Sequence, residues 1–85
     1  MDIPRPTLLK IYDTMVTIRY FEERFAAENA AGKPIGGGHS SAGQEAVAAG
    51  VCAHLTERDY VGSTHRGHGH SIAKGVDPKL MMAEL

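Results

Sequence analysis

Tryptophan is missing and cysteine occurs once, as Cys52, so no intrachain disulfide can staple the fold and a disulfide-built secreted scaffold is excluded. Charge of one sign is equally scarce, since 9 basic against 10 acidic residues leave a formal net charge of −1. Such a chain has no field to gather phosphate backbones or anionic lipid headgroups, which disfavours nucleic acid and membrane surfaces as partners. No apolar run approaches the length of a bilayer span, and the first ten positions hold neither a secretory apolar core nor an arginine-rich transit character. A reducing cytoplasm is the expected compartment.

What is present is an ordinary globular composition, 42% hydrophobic, in only 85 residues. A domain that short buries only about 60% of the surface its unfolded chain exposes. A partner or more chain is therefore expected to complete its core.

Leu8, Ile11, Tyr12, Met15, Ile18, Phe21 and Phe25 recur three or four apart, which predicts an amphipathic packing helix over about 7–29. Lys10, Asp13, Arg19, Glu22, Glu23 and Arg24 fall on the opposite face, read as solvated or subunit-facing and given no chemistry. Gly32, Pro34 and the run Gly36, Gly37, Gly38 then predict a loop. Ser41 stands three residues before Gln44, a capping-box spacing, and positions 46–55 are apolar nearly all round, which predicts a helix buried on every side. After a polar turn at 56–59, Tyr60, Val61 and Gly62 are the one candidate strand. A glycine-rich turn, a short helix closed by Gly75 and a further helix opened by Asp77 and Pro78 complete the pattern. That last helix carries no stop signal before Leu85, so the natural chain is expected to continue.

The run His65-Arg66-Gly67-His68-Gly69-His70 sets a cation and three imidazoles beside two glycines. Glycine lets backbone approach a ligand closely and Arg66 can grip a phosphate with two parallel hydrogen bonds, so the stretch suits an anion. The same pattern fits a surface turn of solvated histidines, and a third reading makes His65, His68 and His70 ligands of zinc, copper or nickel. Against the metal reading, no second cysteine or close carboxylate completes a four-ligand set. Cys52 reads as a small buried hydrophobe and His54 as a helix-end histidine. His39 follows three glycines, a position from which a side chain can project into a cleft. Ser40 and Ser41 lie in no Gly-x-Ser-x-Gly elbow, which disfavours serine hydrolysis.

Ile18-Arg19-Tyr20-Phe21-Glu22-Glu23, His39-Ser40-Ser41-Ala42-Gly43-Gln44-Glu45-Ala46, Gly50-Val51, Ser63-Thr64-His65-Arg66-Gly67-His68-Gly69-His70 and Ala73-Lys74-Gly75 occur in one order. Together they resemble the N-terminal region of the alpha subunit of thiamin-diphosphate-dependent dehydrogenases, the family of the first components of the pyruvate, branched-chain 2-oxo acid and acetoin complexes. The wording around His65 leans toward the acetoin branch. The resemblance implies an α/β thiamin-diphosphate-binding fold, of which this stretch is the mostly helical beginning with at most one or two short strands. It divides the chain into a helical arm over about 7–29, a loop over 30–40 and the start of the cofactor domain over 41–85.

The same resemblance implies that His39 faces the reacting end of thiamin diphosphate, that His65 and Arg66 contact its diphosphate, and that His68 supports the same cofactor loop. Several family members have tyrosine where His65 stands. No Gly-Asp-Gly segment with a later asparagine occurs here, so the magnesium ligands are expected in a C-terminal part beyond these residues. A beta subunit is implied as partner in a heterotetramer, with the site between chains, and a lipoyl-bearing second component as acceptor of the acyl unit. By itself the stretch is expected to be inactive. A small histidine-rich metal-binding protein and a noncatalytic packing remnant are the alternatives from other classes.

Overall fold

The computed structural model describes residues 2–32 and 39–84 and contains four helices there: α1, Arg5–Ala30; α2, Glu45–Cys52; α3, His68–Ala73; and α4, Pro78–Glu84. Much of the predicted glycine-rich loop falls on 33–38, which lies outside the described residues, as does Leu85.

Helix α1 opens after Pro4 with Pro6 in its first turn, where a missing N–H leaves no intrahelical bond unmade. Its 26 residues, at about 1.5 Å each, run about 39 Å and set the 45 Å long axis of the molecule. The predicted apolar stripe is buried only toward its C-terminal half, at Ile18, Phe21 and Phe25, while Leu8 and Tyr12 stay exposed. Periodicity identifies a face; it does not fix how much of that face finds a neighbour.

Helices α2 and α3 pack against α1 and against each other. Ile18, Phe21, Ala48 and Ile72 form the core, with Ala73, Met81 and Met82 packed on it. Helix α2 departs from expectation in three ways. It ends at Cys52 rather than at position 55, and it is buried on one side only, since Val47 and Val51 are 61% and 57% exposed. Nor does Ser41 cap it: the residue before the helix is Gln44, and the Ser41 hydroxyl accepts the Gly69 N–H of α3 instead, at 3.2 Å. The turn into α2 is tied by the Glu45 carboxylate, which accepts the Gly43 N–H at 2.9 Å, with Gly43 at φ +91°. Cys52 is buried, as its hydrophobic reading requires.

The strand predicted at Tyr60, Val61 and Gly62 does not form, and no strand occurs among the described residues. A strand needs a neighbour for its backbone groups, and no described segment pairs with this one; Tyr60 is fully exposed. Helix α3 ends as predicted at Gly75, which takes φ +113°. The Gly75 N–H bonds to the Ile72 carbonyl and the Val76 N–H to the Ser71 carbonyl, both at 3.0 Å, the paired bonds of a Schellman motif. Asp77 caps α4 through the Lys79 N–H at 2.8 Å. No helix among the described residues is long and apolar enough to cross a membrane.

Candidate cofactor site

Two connecting segments carry the site. The first begins at His39 and turns over residues 41–44, closed by the Gln44 N–H on the Ser41 carbonyl at 2.9 Å. The second runs from Ser63 to Gly67 into α3. At Gly67 the fit is tight, because a Cβ would stand 3.0 Å from the Ser63 hydroxyl oxygen.

The segments meet through two contacts. Arg66 donates from Nη1 to the Ser40 carbonyl at 2.7 Å, and the rings of His39 and His65 meet edge to face with centroids 4.5 Å apart. Three of the four predicted site residues, His39, His65 and Arg66, are thereby brought to one place from positions 26 residues apart. Beside them opens a cleft of about 550 Å³, lined by Ser41, Gln44, Ser63, Thr64, Arg66 and His70 among others. The ring nitrogen Nδ1 of His70 is buried and has no hydrogen-bond partner among the described residues. The cleft therefore offers a fixed guanidinium, three hydroxyls and an imidazole, a set suited to an anionic, oxygen-rich group.

His68, the fourth predicted residue, is turned inward. Its Nδ1 lies 2.5 Å from Glu22 Oε1, and its ring is packed edge-on by Phe21 and Phe25 at centroid distances of 5.2 and 5.4 Å. Placing Glu22 on the solvated face of α1 was wrong: it is 2% exposed. Its second oxygen accepts the Ser41 N–H at 2.7 Å. The signal was in the spacing, because Glu22 stands four residues after Ile18 and three before Phe25, on the core stripe itself. Arg19, from the same group of charges, reaches Glu45 at 2.6 Å. That hydrogen bond holds the Glu45 carboxyl down at about 2 and raises the Arg19 guanidinium above its ordinary value.

The metal reading of His65, His68 and His70 is not supported, since no group of three or more potential ligands that could hold a metal ion occurs among the described residues. His68 is committed to Glu22 and His65 stacks on His39.

A helical scaffold that holds arginine and histidines beside an anion-suited cleft defines a binding site of general kind; the comparisons with known proteins narrow it. Residues 13–85 match the family described as dehydrogenase E1 component. The chain belongs to that family. It is 48% identical over 85 residues to the alpha subunit of acetoin:2,6-dichlorophenolindophenol oxidoreductase of Cupriavidus necator, covering all of this chain and 26% of that protein. It is 53% identical over 77 residues to the subunit of the same name from Bacillus subtilis, covering 91% of this chain and 23% of that one. The alpha subunit of the pyruvate dehydrogenase E1 component of Zymomonas mobilis is 48% identical over 82 residues, covering 95% and 23%. The chain thus spans about a quarter of the length of the curated relatives it matches. No solved structure matches it significantly.

Proposed function

We propose that this chain forms the N-terminal part of the alpha subunit of a thiamin-diphosphate-dependent dehydrogenase, acting on acetoin or on pyruvate or another 2-oxo acid in the cytoplasm. The observation that carries the reading is the 2.7 Å bond from Arg66 to the Ser40 carbonyl, which fixes Arg66 beside the residue that follows His39. In this reading 41–85 begins the α/β cofactor domain, and 5–30 is the helical arm that braces it.

The residues present suit the diphosphate end of the cofactor. Arg66 spends one nitrogen on Ser40 and keeps the rest of its fork for phosphate oxygens. His65 lies beside Arg66 to contact the same group, with His68 braced behind it. The described residues offer no trio of metal ligands, so magnesium would be held by residues outside them. When bound, thiamin diphosphate supplies a nucleophilic carbon and an electron sink. His39 would hold or move a proton at the reacting oxygen. The acyl unit would pass to a lipoyl group on a second component, and a beta subunit would complete the site. Among substrates, the 53% identity to the acetoin oxidoreductase subunit of Bacillus subtilis, against 48% to the pyruvate dehydrogenase subunit of Zymomonas mobilis, leans toward acetoin.

The test is turnover by the assembled enzyme, a full-length alpha subunit bearing these 85 residues with its beta subunit, on acetoin and on pyruvate with an electron-accepting dye. Thiamin-diphosphate-dependent oxidation of either substrate is expected. Failure to oxidise these two and a panel of other 2-oxo acids, with the cofactor present, overturns the proposal.

A further inference from the structure

Glu22 is an expensive residue to bury. A carboxylate withdrawn from water costs several kcal/mol unless its oxygens are paired, so a buried one is kept for what it holds rather than for packing. Both oxygens of Glu22 are paired, and the partners belong to the two site segments. Oε2 accepts the N–H of Ser41, two residues after His39; Oε1 faces Nδ1 of His68, two residues after Arg66. The Gly69 N–H donates to the Ser41 hydroxyl at 3.2 Å and closes a ring of hydrogen bonds through Glu22, Ser41, Gly69 and His68. Phe21 and Phe25, the neighbours of Glu22 on the buried stripe of α1, hold the His68 ring from its edges.

We propose that Glu22 is the positioning residue of this site: from α1 it sets the register between the His39 segment and the Arg66 segment without itself touching the ligand. The inference rests on the reading that the Arg66 cleft takes the diphosphate. A carboxylate oxygen only accepts, so the proton between Glu22 and His68 is assigned to Nδ1. A glutamine at position 22 cannot repeat this. If its carbonyl oxygen serves Ser41, its NH2 group meets Nδ1 and demands the opposite tautomer of His68; if it serves His68, the Ser41 N–H loses its acceptor.

The experiment uses the assembled alpha and beta enzyme with ¹⁵N-labelled histidine, as wild type, Glu22→Gln and Arg66→Ala. Wild type is expected to show His68 protonated at Nδ1. Glu22→Gln is expected to move His68 toward the Nε2–H form and to weaken thiamin diphosphate binding by about tenfold, because a small misplacement of a binding group is enough for that. The variant should still fold and assemble with the beta subunit, which separates positioning from a general loss of structure. Arg66→Ala serves as the control for the underlying reading. If Arg66→Ala weakens binding while folded Glu22→Gln leaves it unchanged, the Glu22 inference alone is overturned. If Arg66→Ala leaves it unchanged, the diphosphate reading fails and takes the inference with it. Should Glu22→Gln not fold, Glu22→Asp takes its place, since the shorter side chain cannot reach both Ser41 and His68: a folded Glu22→Asp enzyme with wild-type cofactor affinity overturns the inference, and weakened affinity upholds it.

Discussion

Arg19 Nε lies 2.6 Å from Glu45 Oε2, and this pair joins the long arm α1 to the start of α2. The same oxygen accepts the Gly43 N–H, so one carboxylate fixes both a helix contact and a turn. Its carboxyl is held at about 2, below the ordinary 4.5, chiefly by the Arg19 hydrogen bond. A group whose folded value is depressed stabilises the fold above its unfolded value and loses that contribution as pH falls toward the folded one. Thermal stability of the assembled enzyme is therefore expected to drop as pH falls from about 4.5 toward about 2, and Glu45→Gln should flatten that part of the profile. An unchanged acid profile in Glu45→Gln would remove the pair from the stability account. Arg19 is about half exposed, so solvent screens the contribution.

Gly69 on α3 sits against both α1 and α2. A Cβ there would stand 3.3 Å from the Ser41 hydroxyl oxygen, 3.4 Å from a methyl of Ile18 and 3.5 Å from the Ala48 Cβ. The Ser41 hydroxyl oxygen is the one tight neighbour, and because it accepts the Gly69 N–H it must shift by a few tenths of an ångström at the expense of that bond. Gly69→Ala gains about 0.5–1 kcal/mol from helix propensity but loses about 1–3 kcal/mol to overpacking. A net destabilisation of about 1 kcal/mol is expected in denaturant melts; a more stable variant would show that the helices can separate freely.

His39, His65 and Arg66, singled out through the family resemblance of short local motifs, do come together in the fold. The helix stop at Gly75 and the cap at Asp77 were legible in the sequence, each being decided within a few residues. What escaped depends on contacts across the fold. The spacing of Ser41 and Gln44 fits a capping box, yet the hydroxyl of Ser41 finds Gly69, 28 residues away. The spacing of Glu22 places it on the core stripe, but its partners, which lie 19 and 46 residues on, follow from no local rule. The strand at Tyr60 failed because strand propensity cannot supply the missing neighbour.

His39 is exposed and meets the ring of His65, so its removal leaves the core untouched. In the assembled enzyme, His39→Ala should lower kcat by about a hundredfold, within the range of general acid–base groups, with little change in cofactor affinity. Steady-state kinetics at varied cofactor concentration separates the two effects. A pure affinity defect would move His39 to the diphosphate end.

The 85-residue chain expressed alone is expected to show no dehydrogenase activity and no measurable magnesium-dependent cofactor binding at micromolar concentration. Val47, Val51, Leu8 and Tyr12 leave apolar surface uncovered, which favours a partly helical, self-associating species. Circular dichroism and analytical ultracentrifugation check this. A monomer with a cooperative thermal transition and saturable cofactor binding would contradict it.

Isothermal titration of thiamin diphosphate with magnesium into the assembled enzyme, wild type against Arg66→Ala, reaches the central claim most directly. Arg66→Ala removes a charge-assisted contact and leaves phosphate oxygens unpaired, so binding should weaken by about 2 kcal/mol, roughly thirtyfold in Kd. Equal affinity in the two proteins would contradict the assignment of this cleft to the diphosphate.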